Sequence, residues 1–179
     1  MSNSSLIFDV APLMEKPTGT RETYSFEMPL EYEGVNLTSS TSGKVEIMKI
    51  EDGFNAKVSD LKVEAEFACD KCLKKIDQEV TIDAVERQYL MTPPEESEQK
   101  IDVNDIYLVN KKDQSIDLGE FLRQEIILHF PLIPVCSKSC KGLCPVCGKD
   151  RNKKACHCEI VEYKEEYKPL AALKDLLKK

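Results

Sequence analysis

Gly53-Phe-Asn-Ala-Lys-Val-Ser-Asp-Leu-Lys-Val-Glu-Ala-Glu-Phe67 is the stretch that decides the fold class. Phe54, Ala56 and Val58 alternate with polar neighbours, and Leu61, Val63, Ala65 and Phe67 then alternate in the same strict way. A period of two puts successive side chains on opposite faces of an extended chain, so one face is apolar and buried. Upstream, Val45, Ile47 and Lys49 share one parity, and Glu51-Asp52-Gly53 supplies a turn. Downstream, beyond Cys72, the alternation returns as Val80, Ile82 and Ala84. Several successive runs of this kind indicate an antiparallel sheet with one covered face.

The flanks fill in the rest. Leu6 to Val10 reads as a short strand, followed by a loop carrying Pro12, Pro17 and Gly19. Tyr24, Phe26 and Met28 form a further strand that Pro29 and Gly34 close. Residues 92–105 are polar, acidic and proline-bearing, the composition of a solvated loop. A short strand over Ile106 to Val109 is expected next. Asp117 stands three residues before Glu120, a variant capping box, and Leu118, Phe121 and Leu122 then recur at helical spacing. The predicted helix covers 117–130 and ends at Pro131. Leu170, Leu173, Leu176 and Leu177 share one face of a last short helix. The expected fold is α+β: a mainly antiparallel, barrel-like β sheet with one covering helix and a C-terminal zinc-knuckle segment. Three regions follow: 1–133 as the β domain, 134–160 as the cysteine-rich segment and 161–179 as a tail.

Composition bounds the function. The 179 residues are 41% hydrophobic and 32% charged, the profile of an ordinary globular chain. There is no signal-peptide pattern at Met1 to Val10, and no run approaches the roughly 20 apolar residues that would span a bilayer. A cytoplasmic location, with no membrane partner, is the resulting expectation. In such a reducing compartment, eight cysteines point to metal rather than disulfides.

Cys144-Pro-Val-Cys147-Gly148 has the form of a zinc knuckle, in which a tight turn offers two thiolates and backbone N–H groups to one metal. Cys156 and Cys158 form a second close pair, completing one tetrahedral set. Cys136 and Cys140 precede the knuckle, and Cys69 and Cys72 lie far upstream. One zinc site at the knuckle is expected, and the arithmetic also suggests a second of four cysteines, joining Cys69 and Cys72 to Cys136 and Cys140 and fastening the sheet to the C-terminal segment. The competing partition is one zinc, with the other four cysteines as free thiols. Cys69-x-x-Cys72 also admits a thiol oxidoreductase reading, though its antiparallel β surroundings lack the helix N-terminus that such motifs use. His157, between two ligands, is a substitute ligand in one variant of this scheme; His129 reads as a packed or capping residue.

Net charge is −7, which argues against a chain coated in positive potential. Residues 136–158 nevertheless carry six bases against Asp150 alone. Lys149, Arg151, Lys153 and Lys154 either offset the negative charge of tetrathiolate zinc or contact RNA.

The string Cys136-Ser-Lys-Ser-Cys140-Lys-Gly-Leu-Cys144-Pro-Val-Cys147-Gly, with Asn152 and Cys156-x-Cys158 behind it, resembles the large ribosomal RNA subunit accumulation family (YceD-like). Cys69-Asp-Lys-Cys72-Leu ahead of an acidic loop fits the same family, as does the ending Lys168-Pro-Leu-Ala-Ala-Leu-Lys-Asp-Leu-Leu, where the family more often begins with Asp-Pro. The resemblance implies a non-enzymatic factor in bacteria or plastids that supports large-subunit rRNA accumulation and ribosome assembly, acting by binding rRNA or a ribosomal protein. No small-molecule substrate is expected. A zinc-stabilised protein-interaction adaptor and the oxidoreductase are the alternatives.

Overall fold

The structure is a computed structural model and describes residues 6–92 and 107–158. The acidic loop from residue 93 on and the closing helix at 170–177 therefore lie outside the described residues. The chain divides into two compact units: residues 1–68 with 75–134, and residues 69–74 with 135–179.

The first unit is built on a five-stranded sheet in the order β2 (Arg21–Met28), β3 (Thr41–Ile50), β4 (Gly53–Ala68), β5 (Lys75–Leu90), β6 (Tyr107–Leu108). The first three pairings are antiparallel, and β6 runs parallel to β5. A separate two-stranded ladder joins β1 (Ile7–Asp9) to β7 (Ser115–Asp117). Between β1 and β2 lies one helical turn, α1 (Ala11–Met14), where the sequence suggested only loop. Its Pro12 occupies an early helical position, where a missing N–H costs nothing.

Among the described residues the sheet does not close. β2 and β6 stand at its two edges, which replaces the expected barrel with an open, mostly antiparallel sheet. Period-2 patterning reports buried faces and carries no signal for closure, which depends on strand number and stagger.

The two parities in the decisive stretch belong to one 16-residue strand. Val58 and Leu61 are both buried, so the inward face changes phase across Ser59 and Asp60. The β3 register shifts at this point, between Ser42 and Lys44, and Asp60 adopts a positive φ of 54°. Such an irregularity is a β-bulge, which re-aims the strand without ending it. On β5 the phase changes opposite, from Val80 and Ile82 to Tyr89. At the other end of β4, a side chain on Gly53 would meet the Tyr89 carbonyl oxygen at 2.0 Å. Only glycine fits there.

The covering helix, α2, spans Gly119–Leu128 and buries Phe121, Leu122 and Ile126 in a core with Val45, Ile47, Phe54, Leu61 and Tyr89. Fully burying each such side chain contributes about 1.5–3 kcal/mol. Arg87 of β5 lies 5.3 Å from the Phe121 ring centre and pairs with Glu125 at 3.3 Å, so charge and ring contacts reinforce the packing. The expected capping box does not form. Asp117 is held in the β1–β7 ladder opposite Ile7, and its carboxylate accepts from the Gly119 N–H at 2.8 Å, with Leu118 at the cap position. Glu120 instead accepts from Gln124 at 3.2 Å. At the far end His129 caps the helix, its Nδ1–H donating to the Glu125 carbonyl at 2.8 Å.

Candidate metal centre

The second unit has almost no regular structure among its described residues, and cysteines organise it. Cys69–Lys74 connects β4 to β5 along the chain and belongs to this unit together with 135–158.

Two knuckles share one hydrogen-bond plan. Cys69 N–H donates to Lys74 O at 2.8 Å, and Leu73 N–H donates back to Cys69 O at 2.8 Å. Cys144 N–H donates to Lys149 O at 2.8 Å, and Gly148 N–H to Cys144 O at 2.8 Å. Each turn needs a left-handed residue just after its second cysteine, and Leu73 (φ 60°) and Gly148 (φ 69°) provide it. N–H groups converge on the first sulfur of each turn. The N–H of Cys136, with those of Cys72 and Lys71, brings the Cys69 thiol down to about 6. The N–H groups of Cys147 and Val146 do the same for Cys144, also to about 6. Hydrogen bonds to a thiolate favour the charged form that a metal requires.

Around these knuckles the eight cysteines fall into two groups of four. Cys69, Cys72, Cys136 and Cys140 have sulfurs all within 4.8 Å of one another, and so do Cys144, Cys147, Cys156 and Cys158. In the first group the separations are 3.9 Å for Cys69–Cys140 and 3.7 Å for Cys72–Cys136. A disulfide needs about 2.05 Å. A tetrahedron of sulfurs about 2.3 Å from a central ion has edges of about 3.8 Å, so the residues fit a tetrathiolate metal. Crowded thiols without a cation cannot all ionise. The Cys140 sulfur beside it pushes Cys136 up to about 12, and Cys147 does the same to Cys158, also to about 12. A divalent ion would remove that penalty by binding all four thiolates.

The two groups differ in environment. In the first group Cys69, Cys72 and Cys140 are buried, with Val135 and Leu143 packed against them, and Cys136 is exposed. In the other group only Cys144 is buried, and Cys147 is exposed. His157 is exposed and lies in neither four-sulfur group.

Lys149, Arg151, Lys153 and Lys154 are all exposed in the same unit. Lys71 and Lys74 belong with them, which separation along the chain concealed. The matching pattern Cys-x-x-Cys-x-Lys in both knuckles was the available signal. Gly142 (φ 69°) marks a close backbone approach: a side chain there would meet Lys71 O at 2.8 Å, and Leu143 N–H donates to that same oxygen at 2.8 Å.

The sequence profile of the family described as "Large ribosomal RNA subunit accumulation protein YceD" matches residues 59–177, well over half of the chain. The chain belongs to this family. Both knuckles and all eight cysteines lie inside the matched YceD segment. Two relatives are similar over shorter stretches. One, from Arabidopsis thaliana, is described as "Large ribosomal RNA subunit accumulation protein YCED homolog 1, chloroplastic"; it is 32% identical over 62 residues, 35% of this chain and 19% of that protein. The other, of the same description from Zea mays, is 35% identical over 65 residues, 36% of this chain and 22% of that protein. The chain thus aligns with about a fifth of the length of these relatives. Both are described as chloroplastic, a compartment other than the expected cytoplasm. No solved structure matches the chain. Among the described residues, no helix is long and apolar enough to cross a membrane.

Proposed function

We propose that this YceD-family protein supports accumulation of large-subunit ribosomal RNA by binding, without catalysis, and that its cysteine-rich unit is a two-zinc scaffold presenting basic side chains to RNA phosphates. Charge carries the reading. The described part of the unit holds eight lysines and arginines against Asp70 and Asp150 alone. Two tetrathiolate zinc ions would each leave a charge of −2. Even after both are offset, two positive charges remain, so charge compensation does not use up the bases. Phosphate contacts by Lys and Arg supply most of the affinity in sequence-independent binding, and a local patch is sufficient on an otherwise acidic chain.

Zinc suits an all-cysteine, four-coordinate site, and a closed tetrathiolate has no open position for substrate. That supports a structural metal and a non-enzymatic protein. The thiol oxidoreductase reading is weakened by the same arrangement, since Cys69 and Cys72 are buried among two further sulfurs.

A protein partner is the second reading, favoured by one observation. Leu128, Leu132 and Ile133 in the first unit are 74%, 98% and 67% exposed, an apolar run of the kind that interaction surfaces leave open.

Sucrose-gradient profiling of a deletion strain tests the role. Complementation by the wild-type chain is expected to restore the large-subunit peak. A normal peak and normal large-subunit rRNA in the deletion strain would refute the reading.

A further inference from the structure

Between the two cysteine groups sits a side chain that belongs to neither. Asn152 lies in the loop from Cys147 to Cys156, whose ends both belong to the more open of the two groups, the exposed site, in which one cysteine of four is buried against three in the buried site. Its Nδ2 donates to the Cys140 sulfur, in the buried group, at 3.4 Å. Its Oδ1 accepts the Lys141 N–H at 2.8 Å, which fixes the amide orientation and leaves the donor edge toward sulfur. Asp150 holds the residue from behind, its carboxylate accepting from Asn152 N at 2.9 Å and from Nδ2 at 2.8 Å. The backbone joins the same two regions: Arg151 N–H donates to Gly142 O at 3.0 Å, and Leu143 bridges to Asp150. Only three residues separate Cys140 of one group from Cys144 of the other.

We infer that Asn152 is a positioning residue that couples the two metal sites, so that filling the exposed site strengthens metal binding at the buried one. The inference rests on the two-zinc reading above. The loop from 148 to 155 is closed when its flanking cysteines share a metal, and closure delivers the Asn152 donor to Cys140 already oriented. An N–H donor at a ligating sulfur stabilises thiolate charge and fixes its direction, and partners of this kind commonly contribute about 10–100-fold in metal affinity. Linkage makes the effect mutual: a metal in the buried site must strengthen the exposed site by the same factor.

Chelator-driven zinc release from the full chain, followed with a chromogenic chelator, reads the coupling. The wild type is expected to hold two zinc ions and release them in a fast and a slow phase. Cys156→Ser with Cys158→Ser removes the exposed site yet leaves the Cys140 to Cys144 strap intact. Its single remaining zinc is expected to leave about tenfold faster than the wild-type slow phase, the lower end of such contributions. Asn152→Ala should retain two zinc ions and accelerate the slow phase similarly, and the combined variant should be no faster than either. Asn152→Asp keeps the acceptor for Lys141 N–H and loses the donor to sulfur, so it should be at least as fast as Asn152→Ala. Rescue by aspartate would instead assign a purely structural role and overturn the inference. An unchanged slow phase in the Cys156/Cys158 variant, or multiplicative effects in the combined one, would also overturn it. A wild-type chain holding fewer than two zinc ions would overturn the two-zinc reading itself, and is told apart by metal content alone.

Discussion

Leu73 occupies, after Cys72, the same left-handed backbone position that Gly148 occupies after Cys147, with φ of 60° and 69°. Both knuckles close through paired 2.8 Å hydrogen bonds, so the geometry is set by the turn and not by the residue type. The glycine adopts it freely. The leucine does so at a cost of about 1 kcal/mol, and its side chain, 66% exposed, recovers little by burial.

Leu73→Gly is therefore expected to stabilise the metal-loaded protein by up to about 1 kcal/mol, and Gly148→Ala to destabilise it by a similar amount. Thermal melts at fixed zinc concentration check both. A lower melting temperature for Leu73→Gly would mean that packing of the leucine side chain outweighs its backbone strain.

Gly53→Ala carries a different expectation, because its backbone faces the Tyr89 carbonyl oxygen across the β4–β5 ladder. A methyl group at 2.0 Å must push the strands apart, and the destabilisation should exceed about 2 kcal/mol, toward the upper end of overpacking costs. Urea unfolding followed by circular dichroism measures it. An unchanged midpoint would contradict the pairing at that end of the sheet.

Metal content separates the two partitions of the cysteines. The wild-type chain should carry two zinc ions, and Cys136→Ser with Cys140→Ser should carry one. Elemental analysis of purified protein reads this directly. One zinc in the wild type, unaffected by the Cys136/Cys140 change, would restore the single-site partition.

Much of the fold was legible because alternation is a local signal. Val45 to Ile47, Phe54 to Phe67 and Val80 to Ile82 each announce a buried face. What alternation leaves out is the third dimension. Nothing local at Ser59 and Asp60 says that two short runs form one bulged strand, and nothing says that the sheet stays open. Asp117 misled for a related reason: its capping pattern is real in sequence, but pairing with Ile7 holds it in a ladder and shifts the helix start to Gly119. The grouping of the cysteines was legible in part, since close pairs such as Cys69 and Cys72 or Cys144 and Cys147 put two sulfurs on one turn, and the structure gathers the eight into two sets of four. Asn152 was visible only as one letter of a family string. Its place between the sulfurs depends on the fold of a loop with no periodicity to read. Lys71 and Lys74 were hidden by more than sixty residues of intervening chain.

RNA affinity as a function of salt tests the central claim most directly. Lys71, Lys74, Lys149 and Arg151 changed together to glutamine should leave zinc content intact and weaken binding to large-subunit rRNA fragments across sequences. The same change should make the slope of log K against log salt shallower by about 0.7–0.9 for each phosphate that the protein no longer neutralises. Equal affinity and an equal salt slope for the wild type and this variant, both fully loaded with zinc, would contradict the account.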